Sequence, residues 1–361
     1  MNLSDIRRCL HASVVLLILA SACPAVTAGP RDTEARILKV LTWPDYIDPE
    51  LVARYEQLYD ARIEFTYFET DEHRDEILIE QEGRGFDAVL VSSIGLPGYV
   101  RQGWLKPLDR SLIANDPVVD ATCSKVDSEL ADYFVPYFWG TVGIAYRSDL
   151  VKTPPSSWKE LYAPAEEQRG RIMMIGDATD LLGMAVISQG HALSTESTQV
   201  WQAAAQLALA QKPFVKRYGY TSLTESAEIV ASDNIHMTQI YSGDALTLKD
   251  FNENIEYVQP EEGAGIWVDV WAVPSSSSRD RLSHAFLDLI SQPEQAAANA
   301  EYIYLATCNA DAKAFLSTEF LSEQIIYPPD EVLEKLQYYP VHPPRVAAKI
   351  NAFYSQVVDG R

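Results

Sequence analysis

The chain has little positive charge and almost no cysteine. Its 361 residues include 29 Lys and Arg against 51 Asp and Glu, which gives a formal charge of −22, and only 4 cysteines. Such an acidic protein repels phosphate groups, so we expect no nucleic-acid partner. The same charge attracts cations over long range at low ionic strength.

The motifs of common enzymes and metal sites are also missing. The sequence contains no Gly-x-Ser-x-Gly elbow, no His-Glu-x-x-His, no Cys-x-x-Cys, no Gly-x-x-x-x-Gly-Lys phosphate loop and no Asp-x-Asp-x-Asp-Gly calcium loop. Its histidines are scattered without the spacing of metal ligands. The paired acids Asp177 and Asp180 leave a glycosidase as a minor alternative. We therefore expect no enzyme activity, no cofactor and no metal.

Long apolar segments are confined to the N-terminus. Residues 14–20 form an apolar run that is too short to cross a bilayer, preceded by two arginines and followed by small residues. This pattern predicts a cleaved signal peptide over residues 1–28 and a soluble protein exported to the periplasm. Lipidation at Cys23 is the alternative interpretation.

Export would leave Cys123 and Cys308 as the cysteines of the mature chain in an oxidising compartment. They either form a disulfide, whose loop of about 185 residues would contribute up to ~5 kcal/mol, or remain two separate buried thiols. The sequence leaves both possibilities open.

Predicted strands and helices alternate along the chain, which indicates an α/β fold. The predicted strands cover residues 37–42, 63–67, 86–91, 134–146, 171–175, 235–240 and 265–274. The predicted helices cover 48–59, 71–82, 158–161, 181–192, 196–209, 279–289, 293–302 and 345–358. The long aromatic run 134–146 is suited to carry the chain between two lobes. Ligands of such folds bind at the carboxyl ends of the strands.

The predicted strand at 265–274 carries an acid between two tryptophans. Trp267, Asp269 and Trp271 alternate, and alternate residues of a strand share one face. A ring beside a carboxylate suits an organic cation, because the π-face and the full charge both attract it. The other interpretation is a buried strand whose acid caps a turn. Further acids, rings and a hydroxyl lie at other predicted strand ends, namely Trp43, Asp45, Tyr46, Ser92, Asp177, Asp180, Tyr241, Asp244 and Tyr304.

Taken in order, these motifs resemble the spermidine/putrescine-binding proteins of ABC transporters, which are type II periplasmic binding proteins. The resemblance rests on Trp43-x-Asp-Tyr46, Gly85-Phe-Asp-x-Val89 with Ser92, Pro136-Tyr-x-Trp139 with Gly143-Ile144, Tyr241-x-Gly-Asp244, Pro260-x-Glu-Gly263, Trp267-x-Asp269 with Ala272-x-Pro274, and Ile326-Tyr-Pro-Pro329. It implies two α/β lobes, of residues 37–140 plus 265–310 and of residues 141–264 plus 311–361. Crossing strands would join the lobes, which would close over a ligand by a hinge motion.

The resemblance also implies a function and residue roles. The protein would be a monomer that delivers putrescine- or spermidine-type amines to a membrane permease. In the first lobe, the resemblance implies an aromatic wall of Trp43 and Tyr46 with Asp45 beside it, and a terminal-amine contact at Ser92. It implies that Asp177 and Asp180 bind one amine end, and that Tyr241 and Asp244 supply an aromatic ring and an acid from the second lobe. Trp267 and Asp269 would supply a ring and a carboxylate, and Tyr304 would be a tyrosine of the cleft.

Some positions depart from the family pattern. They are Pro44 in place of Ser or Thr, Val91 in place of proline, Ile94 in place of an aromatic residue, Asp180 in place of glutamate and Tyr241 in place of tryptophan. These departures leave the length of the ligand open, and they allow the same fold to bind another small cation. A second function, in which the protein reports polyamine to a membrane receptor, also remains open.

Overall fold

The computed structural model describes residues 36–126, 128–219 and 234–360, so the predicted signal peptide and Cys23 lie outside the described part. The strands are β1 (Ile37–Thr42), β2 (Arg62–Tyr67), β3 (Ala88–Ser92), β4 (Phe134–Arg147), β5 (Ile172–Met174), β6 (Val215–Tyr218), β7 (Met237–Tyr241), β8 (Ile255–Val258), β9 (Gly265–Ala272), β10 (Ala306–Thr307) and β11 (Gln337–Tyr338). The helices are α1 (Pro49–Tyr59), α2 (Asp71–Glu80), α3 (Leu96–Arg101), α4 (Lys159–Tyr162), α5 (Ala178–Ser188), α6 (Thr198–Gln211), α7 (Ser242–Phe251), α8 (Asp280–Ser291), α9 (Pro293–Ile303), α10 (Thr318–Ser322), α11 (Asp330–Leu333) and α12 (Pro344–Val358).

The first lobe is built on strands β1, β2, β3 and β9. β1 pairs in parallel with β2 and with β3, and β9 runs antiparallel to β3. Every residue of β3 is buried, which explains why its residues are apolar up to the final Ser92. Helix α1 begins where the sequence predicts, because the Asp48 side chain accepts a hydrogen bond from the Glu50 amide and Pro49 occupies the first helical position.

The second lobe is built on strands β5, β6, β7 and β8. β5 pairs in parallel with β6 and β7, and β8 pairs antiparallel with β4. Helix α5 is almost wholly buried beside this sheet. The C-terminal helix α12 belongs here too, since the Tyr354 hydroxyl donates to the Gly176 carbonyl at 2.5 Å and Lys212 donates to the Val357 carbonyl at 2.6 Å.

Strand β4 connects the two lobes. Its first part, Phe134 to Thr141, pairs with β9, and its second part, from Val142 onward, pairs with β7 and β8. All but one of its residues are buried, so both faces are covered along the strand. This geometry agrees with the expectation that residues 134–146 carry the chain between lobes.

The segment of residues 310–327 contacts residues that lie before or on β4. The lobe bounds of residues 37–140 plus 265–310 and of residues 141–264 plus 311–361 remain a prediction. The Lys313 ammonium lies 2.6 Å from the Asp120 carboxylate, and the Tyr327 ring lies 6.2 Å from the ring of Trp139. The segment follows β10, which pairs antiparallel with β4. The periodicity of the sequence does not predict this pairing.

The two cysteines of the described part are bonded to each other. The Cα atoms of Cys123 and Cys308 lie 5.5 Å apart across the disulfide, which closes a separation of 185 residues. The bond ties the segment before β4 to the segment after β10. Within the described residues, no helix combines the length and the apolar character that crossing a membrane requires.

Candidate ligand-binding cleft

Asp269 lies on β9 at the first-lobe side of the cleft. It stands directly opposite Ser92 of β3 in an antiparallel pair, so both side chains project from the same face of the sheet. The Asp269 carboxylate is buried and accepts a hydrogen bond of 2.8 Å from the Tyr46 hydroxyl. Burial raises the pKa of Asp269 to about 7, the charge of Asp71 adds to this, and the Tyr46 bond acts against it.

The backbone of Tyr46 is fixed by a hydrogen bond from Tyr137. Its backbone carbonyl accepts a hydrogen bond of 3.0 Å from the Tyr137 hydroxyl, which in turn accepts one of 2.5 Å from the Asn299 amide. Asp244, in the first turn of α7, raises the pKa of the Tyr46 hydroxyl through its charge, after larger effects of burial and Asp269. The second-lobe acid Asp244 therefore lies near this first-lobe tyrosine.

Asp177 and Asp180 lie at the N-terminus of helix α5 in the second lobe. Asp177 caps the helix, accepting from the amides of Thr179 at 2.7 Å and Asp180 at 3.0 Å. Asp180 accepts from the Tyr241 hydroxyl at 2.6 Å and also from the Tyr339 hydroxyl. Burial raises the pKa of Asp180 to about 8, with a further contribution from the charge of Asp177.

Helix α2 brings Asp71 and Glu72 from the first lobe to the same place. The Glu72 carboxylate lies 3.5 Å from the Ala178 amide at the start of α5, next to Asp177. Burial raises the pKa of Glu72, and burial together with the charges of Glu72 and Asp71 raises that of Asp177 well above its usual range. Acids of the two lobes therefore meet across the cleft.

Sequence reasoning missed Asp71, Glu72 and Tyr339. The two acids were interpreted only as part of an acidic helix, because acids in a first turn are favourable in any helix. These two acids follow β2, and the Thr70 side chain caps α2 by accepting a hydrogen bond from the His73 amide. That position at a strand end is the signal that could have identified them as candidate site residues. Tyr339 follows a two-residue strand that has no pattern of its own.

Aromatic rings line the space between these acids. The Trp267 and Tyr241 rings lie 6.0 Å apart, nearly perpendicular. A Cβ on Gly140 would come within 2.4 Å of the Trp267 ring, so this glycine makes room for the indole. The Trp267 indole nitrogen is buried and has no hydrogen-bond partner in the part of the chain that the structure describes. On the first-lobe side, the Trp43 ring lies 4.5 Å from that of Phe68.

Three aromatic or acidic residues that the sequence grouped with the site have other contacts. Trp271 is fully buried and packs against Tyr137 and Phe286, so it belongs to the core. Asp45 is exposed, and its charge adds to the larger effect of burial in raising the pKa of Tyr67. The Tyr304 hydroxyl donates to the Asp250 carboxylate at 3.0 Å. The binding roles of Asp45, Tyr304 and the other residues that the resemblance implies remain predictions.

The family model described as "bacterial extracellular solute-binding protein" matches residues 50–328. The chain belongs to this family. The Vibrio cholerae norspermidine sensor is 31% identical over 300 residues, covering 82% of this chain and 81% of that protein. The Escherichia coli putrescine-binding periplasmic protein PotF is 25% identical over 364 residues, covering 95% and 97%. The Streptococcus pneumoniae spermidine/putrescine substrate-binding protein PotD has a TM-score of 0.74 and 26% identity, covering 89% of this chain and 98% of that structure.

These findings confirm the resemblance and the fold class. The solute-binding protein has the mixed α/β, two-lobed architecture of the type II periplasmic binding proteins, and its family is defined by solute binding and not by catalysis.

The cleft of this solute-binding protein carries an excess of buried acid. Among the described residues, no Lys or Arg forms an ion pair with Glu72, Asp177, Asp180 or Asp269. A buried carboxylate without a counter-cation is costly, and such groups respond by retaining a proton, as the raised pKa values indicate. The arrangement is suited to receive cationic groups from outside.

Proposed function

We propose that this solute-binding protein binds a polyamine in the cleft and delivers it to the permease of an ABC transporter. The observation that carries the proposal is a pair of buried carboxylates, Asp180 and Asp269, which accept hydrogen bonds from tyrosine hydroxyls and form no ion pair with a basic residue among the described residues. Ammonium groups would supply the missing positive charge. The rings of Trp267 and Tyr241 would contact the methylene chain and add cation–π attraction of roughly 0.5–2 kcal/mol each.

The relatives support this assignment. The Escherichia coli and Streptococcus pneumoniae proteins are named for putrescine and spermidine, and the Vibrio cholerae protein is named for norspermidine. All three names denote linear amines with charged groups separated by short alkyl chains. We extend this to the present chain as a monomeric protein exported to the periplasm through its signal peptide, without enzyme activity.

Substitution of Asp269 by Asn tests the site. The amide keeps the shape and the Tyr46 contact but removes the charge, so polyamine affinity should fall about tenfold or more, as for other buried charged contacts. Isothermal titration with putrescine, cadaverine, norspermidine, spermidine and spermine measures the effect. Asp116→Asn is the matched control, because Asp116 pairs with Arg110 on the exposed surface of the same lobe. Equal affinity in the two variants would show that Asp269 is not a ligand contact.

Polyamine sensing is the second candidate function, and the 31% identical norspermidine sensor favours it. The cleft is the same in both functions, so binding alone does not separate them. Uptake of labelled spermidine by cells that lack this protein separates the two functions, because loss of uptake supports transport. Normal uptake with a changed response to external polyamine supports sensing. If this protein bound another small cation but none of the polyamines, both the transport and the sensing function would be refuted.

A further inference from the structure

Arg74 is a buried basic residue beside the cleft, on helix α2. Its side chain is 2% exposed, and its guanidinium lies 2.6 Å from the Asp71 carboxylate and 3.3 Å from that of Asp75. The Tyr99 hydroxyl accepts a hydrogen bond of 3.0 Å from its Nε. The guanidinium carbon also lies 5.4 Å from the centre of the Phe68 ring.

This environment has the chemistry of a cation-binding box. Two carboxylates, two aromatic faces and a hydroxyl surround the guanidinium, since the Tyr99 ring also lies 5.8 Å from the guanidinium carbon. Phe68 is the ring against which Trp43 packs, and Trp43 is a residue expected to form the aromatic wall for the ligand. An ammonium group of a ligand would be bound by the same kinds of groups.

The box adjoins the residue expected to contact a terminal amine. The Ser92 hydroxyl donates to the Asp71 carboxylate at 2.7 Å, and its oxygen lies 3.5 Å from Nη2 of Arg74. Ser92 stands directly opposite Asp269, so the path from Asp269 past Ser92 ends at the guanidinium. A ligand ammonium beyond Ser92 would meet a fixed positive charge, and Asp71 would already be neutralised.

The space around the guanidinium is also filled. A Cβ on Gly95 would lie 3.4 Å from Nη2 of Arg74 and 3.5 Å from the Ser92 oxygen. Phe68 is fully buried and Tyr99 is nearly so. By contrast, Glu72, Asp177, Asp180 and Asp269 form no ion pair with a basic residue among the described residues, although the charge of Arg74 lowers the pKa of Asp269 after the larger effects of burial and Asp71, and these are the acids left for a ligand.

We propose that Arg74 is a specificity-determining residue that acts as a built-in cation, fills the box at the Ser92 end of the cleft and so limits the length of the polyamine. The inference rests on the proposed polyamine function. The inference predicts that the protein binds best those amines whose ammonium groups reach Asp269 and the acids at the start of α5. An amine with one further charged group should bind more weakly.

The test compares amines of increasing length on the full protein by isothermal titration. In the wild type, spermine should bind about tenfold or more weakly than the tighter of spermidine and norspermidine. In Arg74→Ala, the ratio of the two dissociation constants should change in favour of spermine by about tenfold or more, because the emptied box accepts an ammonium group. Millimolar methylguanidinium should refill the box and restore the wild-type ratio.

Arg101→Gln is the matched control, since it removes one positive charge from an exposed position in the same lobe and should leave the ratio unchanged. Near-ultraviolet circular dichroism checks the fold, and Arg74→Gln, which retains most of the side-chain volume, serves if the alanine variant does not fold. A folded variant with the wild-type ratio would overturn the inference alone. If neither variant folds, equal wild-type affinity for spermine and the triamines would overturn it. A wild type that binds none of the amines would overturn the proposed function as well.

Discussion

Polyamine binding by this protein should strengthen steeply between pH 6 and pH 8. Asp269 and Asp180 have pKa values raised to about 7 and about 8 in the protein alone, chiefly by burial. An ammonium group stabilises the ionised carboxylate, so a ligand that binds below these pKa values must displace protons. Alkyl ammonium groups themselves stay protonated in this range, as the lysine side chain does with its pKa near 10.4.

The expected change follows from these pKa values. If the ligand binds only the ionised form, each carboxyl multiplies the dissociation constant by one plus ten to the power of pKa minus pH. At pH 6 this factor is about 100 for Asp180 and about 10 for Asp269, and at pH 8 the combined factor is about 2. Affinity should therefore rise several hundred-fold between the two pH values, on the order of 3–4 kcal/mol.

Calorimetry in buffers of different ionisation heat measures both affinity and the protons released. We expect Asp180 and Asp269 together to contribute roughly two protons per ligand at pH 6 and fewer than one at pH 8. Asp180→Asn should remove about one proton from the pH 6 value and flatten the pH dependence. Tight binding that is equal at the two pH values, with no proton released, would refute the argument that these carboxyls are ligand contacts held protonated in the free protein.

Further predictions concern the supports of the cleft. Replacing both Cys123 and Cys308 by alanine should lower the free energy of unfolding by up to ~5 kcal/mol, measured by urea denaturation, and a reductant should then have no further effect. Gly140→Ala should weaken polyamine binding, because its Cβ would displace the Trp267 ring, and an unchanged tryptophan fluorescence titration would contradict this. Tyr339→Phe removes a hydrogen bond that lowers the pKa of Asp180. The pH midpoint of polyamine binding, measured by calorimetry, should therefore move upward.

Much of the fold and part of the cleft follow from local sequence signals. The strand at 265–274 and the long strand at 134–146 are visible as apolar or alternating runs, and α1 is visible from its Asp48 cap and following proline. Tyr241 ends β7 and Asp180 lies in the first turn of the helix that follows β5, so their meeting at one edge could be expected, since ligand sites of α/β folds lie at carboxyl ends. Asp269 lies within β9 and not at its end. Strands β6 and β8, which are short and only partly buried, were not predicted.

The sequence by itself determined the class of protein and predicted a cationic ligand, because acids next to aromatic rings are visible in the local sequence. Only the tertiary structure decided which acids lie together. Asp71, Glu72 and Arg74 come from a helix whose sequence resembles any solvated acidic helix, and Tyr339 comes from a segment without periodicity. The contacts of Glu72 with Ala178 and of Tyr339 with Asp180 join residues more than a hundred positions apart, and such packing leaves no mark on the local pattern. The hydrogen bond between Ser92 and Asp71 joins residues 21 positions apart that lie on different elements of the first lobe.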